Sequence, residues 1–376
     1  MRKNDWKEFR LGDIATILSG GDAPRGHISK FKTKNYCVPI YSNGISAKGL
    51  YGYTDKATVF EPASTITARG TIGVVYKRAE PYMPIVRLIS IIAKKKVVDS
   101  DFLYYTLCNT KISGNGSVQA QLTVPMISEY IVRLPDLTVQ KKIAHLLSLI
   151  DAKIEINTQI NQNLEAQAQA IFKSWFVDFE PFGCERPRDW QERSFKTFLK
   201  TRSEKSNDPA IPLFSVTDTG IYPREEKLNK KLSKAITKNK IAYETDIVFG
   251  MSREILNWGI MKSPIGCVSS AYNVFSVSPE INTKYLESYI KSHRQYFLDL
   301  IRPASREGQG IDKSALLSKT ILLPTEDILS RYYQIEDSLR KAISKCRMES
   351  QNLSQLRDTL LPKLMSGEID VSDVEV

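Results

Sequence analysis

Two segments of the chain, 189 positions apart, carry the same structural instruction. IVRLPDLTVQKKIAHLL, residues 131–147, closes an apolar run on Leu134-Pro135 and then starts a heptad pattern. TILLPTEDILSRYYQIE, residues 320–336, does the same after Leu323-Pro324. In the first, Ile143, Ile150, Asn157, Leu164 and Ile171 recur every seven residues, with Leu147, Ile154, Asn161, Ala168 and Trp175 four behind each. The same offset gives Tyr332, Leu339, Cys346, Leu353 and Leu360 in the second. A sustained seven-residue apolar repeat marks a coiled-coil seam. Thr138 stands where an N-cap is expected, and no Gly or Pro intervenes before Pro181. The second pattern is expected to end near Pro362, with Gly367 as its stop, so each segment permits one helix of about 40 residues.

Helices of five heptads are marginal alone in water, so the natural partner for each is its copy in the same chain. Internal duplication favours pseudo-two-fold symmetry. That symmetry makes the pair antiparallel and sets the middle of one seam, Asn157, against the middle of the other, Cys346. Polar residues in an apolar row often fix register at a cost in stability, the role expected of Asn157 and Asn161. At about 1.5 Å per residue such helices are on the order of 45–60 Å long. That length can hold two modules a turn or more of B-DNA apart, one turn being about 34–36 Å.

The 376 residues carry a formal charge of +11, which favours a polyanionic partner. Residues 1–135 hold 19 basic and 10 acidic side chains and residues 181–324 hold 23 and 16, whereas the helical segments 136–180 and 325–376 are both net acidic. All excess positive charge therefore sits in two blocks, as two footprints on one polyanion would require. The five cysteines, Cys37, Cys108, Cys184, Cys267 and Cys346, are scattered and read as reduced thiols of a cytoplasmic protein. The N-terminus MRKNDWKEFR has no apolar leader, and no run reaches the roughly 18 apolar residues of a membrane span.

The expected class is α+β, with two globular α/β domains separated by two long antiparallel coiled-coil helices. The boundaries read as 1–137, 138–180, 181–324 and 325–376. In the first block VPIYSNGIS, ATVFEPASTITARGTIGVVY and MPIVRLISIIA are β-branched runs bounded by Gly, Pro and Asn, and DFLYYTLCN is helical. The second block restates the plan: Trp190 opens it as Trp6 opens the first, DIVFG and GCVSSAYNVFSV read as strands and YLESYIKSHRQYFLDL as a helix, followed by a GQGI loop. Basic, amide and aromatic residues interleave in the expected loops. They are Arg25, Lys30, Lys32, Lys34, Asn43, Lys48, Tyr51 and Arg69 in the first block, and Arg224, Lys227, Lys230, Lys231, Arg253, Asn257, Trp258, Tyr272, Arg306 and Gln309 in the second. Arg, Asn and Gln are shaped to read base edges bidentately, while Lys mostly meets phosphate, so these are the candidate DNA contacts.

The order of these phrases, with SNGISAKG and ARGTIG early, FKSWFVDFEPF at the centre, EGQGI after it and LLPKLMSGEIDV at the end, resembles the specificity subunit of a type I restriction-modification system. The resemblance covers essentially the whole chain. It implies two target recognition domains, each reading one half of a split site on double-stranded DNA. It also implies two modification (methyltransferase) subunits docked mainly on the helices, and restriction (motor nuclease) subunits that join for cleavage. S-adenosylmethionine, ATP and Mg would then belong to the partners, with no cofactor on this chain. The two blocks differ from each other, so the half-sites should differ.

Enzyme signatures occur in the sequence only as partial matches. FEPFG at 179–183 lacks the Asn and second Pro of an adenine methyltransferase loop. GISAKGLY and GDAPRGHI lack the Lys of a phosphate loop. Pro135-Asp136 followed by Asp151-Ala152-Lys153 matches a nuclease pattern in letters only, since Asp151 and Lys153 fall in mid-helix rather than on adjacent strands. His27, His145 and His293 have no neighbour at metal-ligand spacing. A stand-alone nuclease or methyltransferase, and a purely structural coiled-coil adaptor, are the alternatives.

Overall fold

The computed structural model describes residues 6–113, 121–206, 208, 210–224, 239–252, 255–301 and 311–374. Lys227, Lys230, Lys231, Arg253, Arg306 and Gln309, with most of the GQGI loop, lie outside the described residues. The chain divides into two compact units, Met1–Ile160 with Ser344–Val376, and Asn161–Ile343. Each joins one lobe to part of both long helices.

In the first unit Lys7–Arg10 pairs antiparallel with Ile131–Leu134, Lys7 opposite Leu134. This ties the start of the lobe to the strand that feeds the first long helix. Beyond it stands an antiparallel sheet in the order Ala15–Ser19, Ile89–Ala93, Ala63–Ile66, Val75–Arg78. The helix Ser100–Asn109, N-capped by the Asp99 carboxylate, lays Phe102, Leu103 and Leu107 into a core shared with Leu11, Ile91, Ile143, Leu147 and Leu364. A smaller sheet places Val38–Tyr41 between Leu50–Thr54 and the short parallel strand Met83–Pro84.

The second unit repeats the plan. Gln191–Ser194 pairs with Thr320–Leu323, and the main sheet runs Leu199–Arg202, Asn273–Val277, Ile247–Phe249, Trp258–Ile260. The helix Thr283–Ser292 covers it. The long apolar phrase GCVSSAYNVFSV is two strands, Ile265–Val268 and Asn273–Val277, because a turn at 269–272 interrupts it. YLESYIKSHRQYFLDL likewise breaks at His293, whose ψ of 32° leaves the helical region. The accessory strands differ from those of the first lobe: Lys205–Ser206, Asn239–Tyr243 and Ile265–Val268 form one sheet, and Phe214–Thr217 with Gly220–Pro223 forms a hairpin. Equivalent main-sheet elements begin 184 residues apart, as at Ala15 and Leu199 or Ile89 and Asn273, and the offset reaches 189 by Ile131 and Thr320. The second lobe has thus gained five residues between its sheet and the strand that enters the helix.

The long helices are Leu137–Phe176 and Glu326–Met365, 40 residues each. The first is capped by Asp136 rather than Thr138. Its carboxylate accepts from the Thr138 and Val139 amides at 2.9 and 3.0 Å, because the step after Leu-Pro puts the acceptor one residue before the first helical position. Pro362 lies inside the second helix, not at its end, and costs only one hydrogen bond near the terminus. The stop is Gly367, whose φ of +70° lets its N–H reach Leu364 O while Glu368 N–H reaches Lys363 O, a paired closure of the last turn.

Within the first unit Asp151 meets Arg357 and Asn157 meets Glu349, so residue numbers fall along one helix as they rise along the other. The helices are antiparallel there. Within the second unit Phe172 and Phe176 pack on Tyr332, with Trp190 and Tyr285 in the same aromatic cluster. This is where FKSWFVDFEPF goes; each such ring pair contributes about 0.5–1.5 kcal/mol beyond area burial. Ile143, Ile150, Asn157, Leu164 and Ile171 are buried or half-buried, as are Leu339, Cys346, Leu353 and Leu360. The row four behind the second seam is Glu336, Ile343, Ser350, Arg357 and Leu364, so polar groups enter this interface from both helices.

Candidate nucleic-acid interface

In the first lobe the main sheet presents one end as a set of loops, and Asn43 stitches them together. Its amide donates to Val86 O and accepts from Ala68 N–H, both at 2.6 Å, joining loops 42–49, 67–73 and 85–88. Both ends of the side chain are therefore committed to the protein. Asn43 belongs to the scaffold of this edge instead of reaching outward, a correction to its place among the expected contacts. Gly20 and Gly21 carbonyls accept from Arg87 and Val86 N–H, which adds a fourth loop. A Cβ at Gly20 would lie 2.7 Å from Pro84 C, so only glycine allows that approach.

Around this framework the exposed cations are Lys48, Arg69 and Arg87. Lys48 lies 3.7 Å from Glu155 on the long helix, a solvent-exposed pair, and Arg69 donates to Gln121 at 3.3 Å. Beneath them Arg78 is buried. Its guanidinium lies 3.5 Å from the Tyr41 ring centroid and donates to Lys48 O at 2.6 Å and Thr65 Oγ1 at 3.0 Å. Burial lowers its pKa, against the tyrosines that raise it. Arg25, Lys30, Lys32 and Lys34 are exposed along the segment between Ala15–Ser19 and Val38–Tyr41, and Tyr51 is exposed on Leu50–Thr54. Ser29 and Tyr53 exchange backbone hydrogen bonds at 2.9 and 2.8 Å, which fixes that segment against the small sheet.

In the second lobe Trp258 is a correction. It is 7% exposed and stacks on Phe249 in the core, because it sits on the strand Trp258–Ile260 and not in a loop. Asn257 is half-buried and its donor end is used within the protein: its amide donates to Met251 O at 2.6 Å and its backbone N–H to Ser252 Oγ at 2.9 Å. Arg224 donates to Ser215 Oγ and Tyr272 is half-buried, so both are partly committed to packing.

A lysine cluster that sequence reasoning missed lies beside the turn at 269–272. Lys240 donates to Tyr272 O at 2.6 Å. Burial, then the neighbouring Lys313 and Lys205 ammonium groups, holds its pKa below the usual lysine range. Lys205 and Lys240 face each other across adjacent strands with Lys313 near by, and like charges gathered in this way form a site that a phosphate would relieve. The residues are 35 to 108 positions apart, so no run of charge announces them. Lys205 and Lys240 sit on paired strands and Lys313 heads a short helix, so no single pattern links them.

Among the described residues no group of three or more His, Cys, Asp and Glu could hold a metal ion, and no helix is long and apolar enough to cross a membrane. Asp151, of the nuclease-like letters, accepts from Tyr105 Oη at 2.7 Å and pairs with Arg357 at 2.8 Å, a structural role.

These features define a duplicated, two-lobed α+β protein carried on paired long helices. The model of the type I restriction modification DNA specificity domain matches residues 3–166. A Mycoplasma pneumoniae protein provisionally named a type I specificity subunit is 36% identical over 170 residues, spanning 44% of this chain and 49% of that relative. The C-terminal piece of another from the same organism is 37% identical over 117 residues, 31% of this chain and 78% of the relative. The MjaIX type I restriction enzyme specificity subunit of Methanocaldococcus jannaschii is 27% identical along 98% of this chain and 95% of its own length. Among solved structures, the type I restriction-modification S subunit of M. genitalium shares the fold at a TM-score of 0.57 with 14% identity, covering 96% of each chain. The chain belongs to the specificity subunits of type I restriction-modification systems. As such it is not itself an enzyme: the catalytic activities of these systems lie in partner subunits.

Proposed function

We propose that this chain binds a bipartite, asymmetric site on double-stranded DNA, one half-site per lobe, while the long helices set the spacer and dock two modification subunits. Restriction subunits complete the assembly for cleavage, and S-adenosylmethionine, ATP and Mg act on those partners. One observation carries the reading: each duplicated lobe gathers cations, Lys48, Arg69 and Arg87 on joined loops in one, and Lys205 and Lys240 opposite each other on adjacent strands beside the corresponding turn in the other. Two such edges on one polypeptide suit a continuous polyanion better than two unrelated ligands. Their different accessory strands and side chains suit different base sequences.

Mapping methylated adenines genome-wide in cells with and without the gene tests this. The expected result is a split motif with a fixed unread spacer that disappears on deletion. Purified chain alone, given S-adenosylmethionine or Mg and ATP, should leave DNA unmodified; turnover would favour a stand-alone enzyme. An unchanged methylation pattern, with no sequence preference in the assembled complex, would favour a structural adaptor.

A further inference from the structure

The turn at 85–88 holds two consecutive residues in the left-handed region, Val86 at φ +54° and Arg87 at φ +63°. For a β-branched residue this is a costly conformation. It persists because the surroundings over-determine it. Ile85 N–H is bound by Tyr41 O, Val86 N–H by Gly21 O, Arg87 N–H by Gly20 O, Leu88 N–H by Ile85 O, and Val86 O by the Asn43 amide.

The fold itself does not require the strain, and the duplicated lobe supplies the control. The equivalent turn, 184 residues on, is Ser269–Tyr272, which closes with the same hydrogen bond, Tyr272 N–H to Ser269 O at 3.0 Å against 3.1 Å for Leu88 to Ile85. None of its residues has a positive φ. The turn into the corresponding main-sheet strand is thus made without a positive φ in one lobe and with two in the other, although the strands that enter it differ: Met83–Pro84 runs parallel to its neighbour and Ile265–Val268 antiparallel.

Ile85 and Leu88 bury their side chains in the core, whereas the two strained residues between them face outward. Val86 is 46% exposed, and Arg87 is exposed with no hydrogen-bond or ion-pair partner among the described residues. An apolar side chain and a free guanidinium, side by side on a backbone whose amides are all satisfied, make a rigid projection flanked by Lys48 and Arg69. Guanidinium is the group best shaped for the guanine edge, and rigidity removes the ordering cost of placing it.

We propose that Val86-Arg87 is a specificity-determining projection of the first lobe, with Arg87 reading a base edge and Val86 making the apolar contact beside it. The inference rests on the DNA-recognition reading above. The test is selection from a randomised duplex library by the full chain assembled with its modification subunits, comparing wild type, Arg87→Ala and Val86→Gly. Arg87→Ala should lose information at one or two base pairs of one half-site, leave the other half-site intact, and bind the wild-type motif roughly 5- to 150-fold more weakly. Val86→Gly should melt at or above the wild-type temperature, since glycine adopts this φ freely, and still bind more weakly. If wild type selects a split motif and Arg87→Ala selects the same one with affinity within about twofold, the projection is not a reader and the DNA-recognition reading stands. A Val86→Gly protein that is more stable and binds as wild type would also remove the function of the strain. If wild type selects no motif, both readings fall together.

Discussion

Side chains at the loop ends had to be sorted by what they touch, and the letters alone do not say. Asn43 and Asn257 carry the donor and acceptor pair that suits adenine, yet the same pair suits loop stitching, and both amides are used that way here. Trp258 follows Asn257 in sequence as though in one loop, but the strand begins between their roles and turns the indole inward. Arg87 is hidden in MPIVRLISIIA, which reads as one apolar strand, whereas in the fold a turn breaks the run and projects it. The lysine cluster of the second lobe was illegible for a different reason: Lys205 and Lys240 meet only through strand pairing, and Lys313 joins them from the head of a helix far along the chain. It gives a sharp expectation. Replacing Lys205 and Lys313 together with Ala removes mutual repulsion around Lys240, so the folded chain should be no less stable in denaturant titration. DNA binding by the assembled complex should weaken alike for all sequences, and the slope of log affinity against log salt should fall by about 2. An unchanged slope would mean that this edge meets no phosphate.

Secondary structure was more legible, because long periodic elements leave a signal that no single contact can hide. Five heptads without Gly or Pro read as a 40-residue helix, and 40 residues is what forms. The polar content of the interface was less legible, since the second row of the later helix, with Glu336, Ser350 and Arg357, does not look like a seam at all. Glu336 is neutralised by Arg340 one turn along its own helix, whereas Arg357 is met from the other helix. Arg357 pairs with Asp151, which also accepts from Tyr105 on the lobe's own helix, so one carboxylate ties the lobe to both long helices. Burial would lower the Arg357 pKa, but the carboxylates of Asp151 and Asp358 outweigh it and raise the value. Both charged groups are about 30% exposed, which places the pair between a surface and a core ion pair. Arg357→Ala should therefore destabilise the chain by about 1–3 kcal/mol, leaving Asp151 half-buried and short of one partner. Asp151→Ala with Arg357→Ala should cost less than the sum of the two single changes, and a double-mutant cycle from urea unfolding reads the difference. Strict additivity would show that the contact adds nothing to the helix pairing.

At the level of the whole chain the duplication was the most legible feature, because a repeat of 189 residues is visible without any knowledge of contacts. The structure refines it to 184 within the sheets and 189 at the helices. On the function proposed above, the element that would set distance repeats at a single offset of 189, and the lobes that would read sequence differ in their accessory strands. The proposed division of labour makes a quantitative claim. One heptad inserted into each long helix, after Ile160 and after Ile343, keeps both seams in phase because seven residues restore the same face. At about 1.5 Å per residue the added length is on the order of 10 Å, close to three base pairs at 3.4 Å each. The selected motif should keep both half-sites and lengthen its unread spacer by about three base pairs. Affinity should fall as well, because three added base pairs turn one half-site by roughly a quarter to a third of a helical turn, given 10–10.5 bp per turn, and the duplex must twist or bend to present both. An insertion in only one helix throws its seam out of register with the other and should lower the melting temperature instead. If the matched insertion leaves the spacer at its original length, or alters the bases read within either half, distance is being set by something other than the helices.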